Sequence, residues 1–550
     1  MTELPRADRI ITGRIATLAG ESGFGWGSGV AIAGGRVIAV GPESELESLA
    51  TTRTQWWRLG DELVVLPGIT DAHLHLMALV IAESQIDLTG LDLPGALAAI
   101  GRAHAARTAG GDADCWLLGH GWSVHDLGGW PDAEMLERVA PGRPVALYAH
   151  DHHSRWVSAA AMRRAAIDGA RGDALGGLVR LEPGGAPTGI LHEGAVALVD
   201  VAIPDPAHDE LVSSVAVVAR RLAALGLTGC HDPGELNDDP AINRGPLFYR
   251  ELAGEGRLPL RVHASIRAGQ LPRAVELGLR SGDSLGRYTF GWLKLFADGS
   301  LGSRSAALLE PYDDGDENPP TGGPRGMVVT DAEELTELLS AAATNGIVGE
   351  VHAIGDSAVR MALDALGPVH VQGATVVPRI EHAQLVDPAD QPRFGRLGVA
   401  ASVQPVHLRS DAMQERLAWG VRAENTFPLR TLIQGGALIP FGTDAPVEPP
   451  DPWPGIAVAV VRRDPFDACA LPVGAAHAIS VERAIRAACL DPALVAGLSD
   501  LGRLTPGCRA DLIVVPSTTF GEPFDARAVA STRPLATMIE GEELHRAADF

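Results

Sequence analysis

The feature that most constrains this chain is a rhythm. Eight short apolar runs recur along it, each closed by polar or ionisable residues. They are VVLPGITDAHLH (64–75), LTGCHDPG (227–234), PLRVHASI (259–266), WLKLFADGS (292–300), IVGEVHAIGD (347–356), PRIEHAQLV (378–386), VAASVQPVHL (399–408) and LIPFGTDAPV (438–447). Stretches with helical patterning, such as DELVSSVAVVARRLAAL and DAEELTELLSAAATN, lie between them. Eight strands alternating with helices predict an α/β chain built as a (β/α)8 TIM-like barrel. The gap between the first two runs is too long for one helix, so 77–210 is expected to be an insertion after barrel strand one, folded as a cap over the barrel mouth. Both ends of the chain read differently. Residues 9–62 hold short β-branched runs broken by glycines, and 502–516 and 536–546 repeat that pattern. A small β-layer made from 1–62 and 500–550 is therefore expected beside a barrel of 63–499.

Composition narrows the class. Of 550 residues, 46% are hydrophobic and 21% charged, which excludes disorder of the whole chain. A formal net charge of -24 argues against nucleic-acid binding, which needs a Lys/Arg surface. Five scattered cysteines with no CxxC give neither a disulfide framework nor a cysteine metal site, and suit a reducing cytoplasm. The N-terminus lacks a signal-peptide pattern, and no uncharged apolar run is long enough to span a membrane. A cytoplasmic protein acting on a small molecule is expected, with homo-oligomerisation left open.

In a barrel all strand ends meet on one face, where active sites form. The runs carry Asp71, His73 and His75, then Lys294, His352, His382 and Asp444, in that order. Residues i and i+2 on a strand point the same way, so His73 and His75 can bind one ion. Lys294 is the one lysine of the chain, every other cation being arginine. An arginine-biased genome explains why lysines are scarce, and leaves open why one remains there.

The order of these residues resembles the metal-dependent amidohydrolase superfamily, and more closely amidohydrolase family 3, the YtcJ-like proteins related to N-substituted formamide deformylases. The matching stretches are LPGITDAHLHL, PVALYAHDHHSRWVS, GAPTGILHEGA, LTGCHDPG, KLFADGSLGSRSA, EVHAIGD, RIEHAQL, FGTDAPVEPPDPW and GRLTPGCRADLIVV, spanning roughly 60–516. The resemblance implies a barrel with a β-sandwich built from both termini. It also implies a site for two divalent ions, Zn with Mn or Fe as alternatives. One ion would be held by His73, His75, Asp444 and a carbamate on Lys294, the other by His352, His382 and the same carbamate. A buried lysine loses its proton more readily, so its neutral amine can add CO2 and become an anionic two-oxygen bridge; arginine cannot. A plain lysine paired with an acid such as Asp298 is the alternative, and Glu193 is the fallback bridge or a substrate contact.

Two ions sharing a hydroxide would bring it to neutral pH as a nucleophile, and Asp444 would carry its proton to the leaving nitrogen. His153 matches the family's substrate-facing histidine, although His152 stands where the family has glycine. Trp122, Trp130 and Trp156 either line an apolar pocket or pack the cap core. Arg304 could clamp a carboxylate or make a structural ion pair. His231 and Asp232 are expected to orient ligands, whereas His104, His208, His263, His370, His407, His477 and His545 carry no signal. The leading function is a metal-dependent hydrolase cutting a non-peptide C–N bond of the amide or formamide type by attack of a metal-bound hydroxide. The alternatives are an ester or lactone hydrolase on the same site, and a metal-containing binding protein without turnover.

Overall fold

The computed structural model describes residues 5–20, 22–83, 85–111, 115–149, 154–167, 177–234, 245–302, 304–313, 323–521, 523–548 and 550. They form two compact units, residues 1–77 with 218–550, and residues 78–217.

The first unit holds the barrel. Its parallel sheet runs Ala400–Ser402, Arg379–His382, Val348–Ala353, Tyr288–Phe296, Arg261–Arg267, Leu227–Asp232 and Ile69–Asp71. Leu227–Asp232 and Arg261–Arg267 are buried at every position, which is why these runs show no polar alternation. Residues 438–445 supply the eighth stave. On one side Val403 N–H donates to Pro440 O (3.0 Å) and Gly442 N–H to Val403 O (3.0 Å). On the other, Ala72 N–H donates to Phe441 O (2.9 Å) and Asp444 N–H to His73 O (2.7 Å). These bonds close the (β/α)8 ring. The closure requires glycine at 442, where a Cβ would lie 2.6 Å from His73 N.

The run 64–75 is expected as one barrel strand, but it divides at Gly68. Leu63–Pro67 pairs antiparallel with Leu512–Pro516 in the terminal sheet, while Ile69–Asp71 pairs with the barrel strand Leu227–Asp232. Both halves are buried, so no polar residue marks the junction. A Cβ at Gly68 would meet Thr228 Oγ1 at 2.3 Å, which leaves room only for glycine as the chain crosses between sheets. The terminal sheet thus runs past residue 62. Its core joins Ile11, Ile15 and Val30 from one end of the chain to Leu512, Val514 and Met538 from the other. The chain is a TIM-like barrel with a small β-sandwich built from both termini.

The second unit is centred on a six-stranded sheet, ordered Gly177–Leu181, Pro187–Glu193, Ser154–Val157, Val145–Ala149, Leu117–Trp122 and Ile86–Asp87. Successive residues feed opposite cores, as the strand pleat requires: Leu147, Trp156 and Ile190 enter one, Ala146, Val157 and Leu191 the other. Trp122 and Trp156 are 1% and 0% exposed. Their indole N–H groups donate to Leu147 O (2.9 Å) and Asp132 O (2.8 Å). The pocket-lining role expected for these two tryptophans is therefore corrected: their rings are core and their single donors are spent. Trp130 is 42% exposed, edge-on to Trp122 and His192.

Candidate metal centre

The centre is assembled where barrel strands one, four, five, six and eight end. Asp71 builds its floor by accepting bonds from His73 N–H (3.1 Å), Thr443 N–H (3.0 Å) and Thr443 Oγ1 (2.6 Å). This ties the first stave to the eighth. Burial pushes its carboxyl up to about 6, against those bonds. His382 and Asp444 leave their strands with φ of 70° and 62°, left-handed values that cost a non-glycine residue about 1–3 kcal/mol.

Asp444 is the focus. Its Oδ1 lies 3.3 Å from His73 Nε2 and 3.4 Å from His75 Nε2, and its Oδ2 3.6 Å from His407 Nε2. Two ligands about 2.1 Å from a shared tetrahedral ion would be separated by about 3.4 Å. The His73 and His382 rings are 5.1 Å apart and those of His382 and His352 4.5 Å. His73, His382 and Asp444 bring one donor atom each within 4.8 Å of one another. The opposite ring nitrogens are tied down. His73 Nδ1 meets Glu381 Oε2, His382 Nδ1 lies 2.9 Å from Gln404 Oε1, and His75 Nδ1 lies 3.1 Å from Gly234 O. Such anchoring is how metal-binding imidazoles are held with Nε2 forward. His352 differs, its Nε2 lying 3.1 Å from Gly299 O.

Electrostatics agree with a donor set. Burial lowers His352 to about 3, and with His352 beside it carries His382 well below the ordinary range, so both are neutral and able to ligate. Burial is the largest influence on His73 and lowers it, but Glu381 and Asp444 together outweigh it and raise the group to about 9, so an ion at Nε2 would have to displace a proton. Burial opposes the ionised form of Asp444, yet the surrounding histidines, His73 first, hold it well below the ordinary carboxylate range. An anion facing a ring of imidazoles suits a divalent ion, so the residues present fit a metal.

Lys294 is 2% exposed, with Nζ 3.4 Å from Glu350 Oε1 and 5.3 Å from the Phe296 ring centre. Its expected alternative partner, Asp298, is engaged elsewhere. Asp298 accepts from the N–H groups of Ala307 (2.9 Å), Ile354 (3.0 Å) and Gly355 (2.8 Å) and lies 3.6 Å from His352 Nε2. Burial lowers the Lys294 amine, although Glu350 and Glu381 oppose the shift.

Three groups of this centre are missed by sequence reading. His407, which carries no signal in the sequence, stands beside Asp444 in the turn after the seventh strand. Glu350 and Glu381 lie in the strands that carry His352 and His382 and point into the barrel interior. A charged residue inside an apolar strand, two places or one before a histidine, was the available clue. His231 Nδ1 accepts from Arg379 (2.8 Å), and Asp232 accepts from Tyr249 Oη (2.8 Å). Arg304 lies near Leu301 O (3.5 Å) and over the Tyr312 ring (5.6 Å). His153 lies outside the described residues, as does the side chain of Glu193, whose backbone closes the strand Pro187–Glu193.

Known proteins share this chain's sequence and fold. A family model described as "Amidohydrolase family" matches residues 61–545. The chain is similar to Protein LONG AFTER FAR-RED 3 of Arabidopsis thaliana, 30% identical over 98% of this chain and 92% of that protein. It is similar to the putative amidohydrolase YtcJ of Bacillus subtilis, 31% identical over 84% of each chain. N-substituted formamide deformylase of Arthrobacter pascens is 26% identical over 88% of this chain and 89% of that enzyme. The crystal structure of an uncharacterized metal-dependent hydrolase from Pyrococcus furiosus superposes with a TM-score of 0.73 at 27% identity, covering 92% of this chain and 98% of that one.

Proposed function

We propose that this chain, which belongs to the amidohydrolase family and is a metal-dependent hydrolase, cleaves a non-peptide C–N bond of the amide or formamide type in a small molecule. The observation that carries the reading is the convergence of His73 and His75 Nε2 on one oxygen of a buried, ionised Asp444. The deformylase relative supports the bond type.

His73, His75, His352, His382 and Asp444 would hold the metal, Zn being the ion that this donor set suits best. Bound there, divalent ions supply Lewis acidity toward a carbonyl and acidify water into the neutral range. The chain does the rest. Asp444 divides its work between its two oxygens: Oδ1 faces the ligand histidines, while Oδ2, beside His407, takes the water's proton and returns it to the leaving nitrogen. Lys294 completes the set as a carbamate. CO2 adds to the neutral Nζ, an N–C bond forms and one proton leaves. The carbamate nitrogen keeps one hydrogen, and Glu350 Oε1, 3.4 Å from Nζ, is placed to accept it.

Two measurements test the reading. Zinc-loaded protein should hydrolyse N-substituted formamides or N-acyl amines faster than esters and lactones; hydrolysis of lactones alone would replace the C–N assignment by the C–O one. Lys294→Ala should lose metal and rate, with partial recovery on adding a short-chain carboxylic acid, and Lys294→Arg should fail as well. Full metal and full rate in Lys294→Arg would remove the carbamate.

A further inference from the structure

Beneath the metal donors lies a second group of buried charges, and Arg379 joins them. Arg379, Glu350 and Glu381 are each 0% exposed. Arg379 and Glu381 share one face of the strand Arg379–His382, and Glu350 pairs in register with Arg379 from the neighbouring strand. The guanidinium lies 3.9 Å from the Trp292 ring centre. Its Nε is 2.7 Å from Glu381 Oε1 and its Nη2 3.2 Å from Glu350 Oε2. Its Nη1 donates to Ala72 O (3.2 Å) and to His231 Nδ1 (2.8 Å).

These contacts reach the metal donors from several directions. Ala72 is the residue before His73, so Nη1 holds the peptide from which that histidine projects. Glu381, held by Nε, meets His73 Nδ1 with its other oxygen and so fixes the ring. Glu350, held by Nη2, faces Lys294 with its other oxygen. A lysine could not replace this arginine, because its three donors radiate from one nitrogen, whereas Arg379 reaches four groups from three nitrogens spread across a plane that lies on Trp292. Stability alone is a poor reason for burying such charges, since buried ion pairs commonly add nothing over apolar packing of the same volume.

We infer that Arg379 and Glu381 are positioning residues of the metal centre, holding His73 with its Nε2 toward the ion. The inference rests on the proposed metal site. One guanidinium sets the backbone and the ring of a ligand and, through Glu350, braces the lysine at the other end of the donor set.

The test uses the full chain loaded with Zn2+. Glu381→Gln keeps the shape and removes the charge. It should weaken zinc by about 10–100-fold in chelator competition, the usual cost of losing the partner of a ligating histidine. The metal-free protein should still melt as a folded protein. Arg379→Gln should weaken zinc likewise, and the double variant should be weakened by less than the product of the two singles, because part of what Arg379 does passes through Glu381. Zinc affinity of Glu381→Gln within about twofold of the parent would overturn the inference, as would full additivity in the double variant. If Arg379→Gln does not fold, Glu381→Gln alone decides. His73→Ala separates this inference from its premise: that variant retaining zinc would refute the site, whereas its losing zinc while Glu381→Gln keeps it would refute only the positioning role.

Discussion

Two carboxylate clusters meet at His73, and they are neutralised in opposite ways. Toward Nε2 lies Asp444, ringed by His73, His75 and His407. Toward Nδ1 lie Glu381 and Glu350, both paired with Arg379, with Lys294 beside Glu350. Either cluster offers enough donor atoms for an ion: His73, His382 and Asp444 in one, His73, Glu350 and Glu381 in the other. The second already has a cation, Arg379, against both carboxylates. Burial pushes Glu350 up, but the groups around it, Arg379 first, outweigh it and hold the group at about 2. Asp444 has imidazoles as neighbours: His352 and His382 lie below their ordinary range, His73 and His407 above it. Donor geometry alone therefore does not distinguish the two clusters; the proposed site takes the one whose donors are imidazoles rather than the one already paired with arginine. Elsewhere in the barrel, Glu415 shows a third solution. It is buried beside Gln384 (2.9 Å), and burial pushes its carboxyl up to about 7, helped by Asp411 and opposed by the Gln384 and Thr426 bonds and by Arg462. Below about pH 7 a proton neutralises it.

The comparison can be broken at Asp444, where the effect should be largest. Asp444→Asn keeps the size and loses the anion and the proton acceptor, so turnover should fall by about 10²–10⁴-fold while circular dichroism remains that of the parent. Near-parental rates at full metal content would show that the two clusters do not differ in the way argued.

Glu415 sharpens it next. Its folded pKa of about 7 lies above the ordinary 4.5, so its contribution to stability is complete below pH 4.5 and is lost as pH rises through 7. Glu415→Gln should match the parent at pH 4.5 and be relatively more stable above pH 7, by an amount of the order of 3 kcal/mol. Melting curves at the two ends of that range check it. A difference that does not grow with pH would mean that Glu415 is neutralised by a cation after all, as Glu350 is.

The smallest effect concerns the ion. Zinc at a hundred times its dissociation constant adds about 2.7 kcal/mol to the folded state. Chelation should therefore lower the melting temperature of the parent and leave that of His73→Ala unchanged. An equal drop in both would place the ion away from the Asp444 cluster.

Legibility in the sequence followed how far each signal is local. His73 and His75 are two residues apart, and both reach one oxygen of Asp444, although they follow the strand Ile69–Asp71 rather than lying on it. The one local sign of the split at Gly68 is the Pro67-Gly68 pair, a turn signal inside a run that is apolar on both sides. Trp122 and Trp156 leave two readings open in the sequence, pocket lining or cap core, and only the packing of the six-stranded sheet shows both rings buried in the core. His407 had no sequence neighbour to mark it, since its significance comes from Asp444, far along the chain.

What the sequence by itself determined is the strand rhythm, the union of both termini in one sheet, and the order of ionisable residues at the strand ends. Burial period and residue type are written locally, and eight strands with helices between them leave few closures. Only the tertiary structure decided which charges meet. Arg379 reaches Ala72 across the barrel, and Glu381 reaches His73, because ring closure brings the sixth strand opposite the first. No spacing along the chain encodes that, so the pairing of cation with carboxylate, and hence the face left for a metal, exists only in the closed barrel.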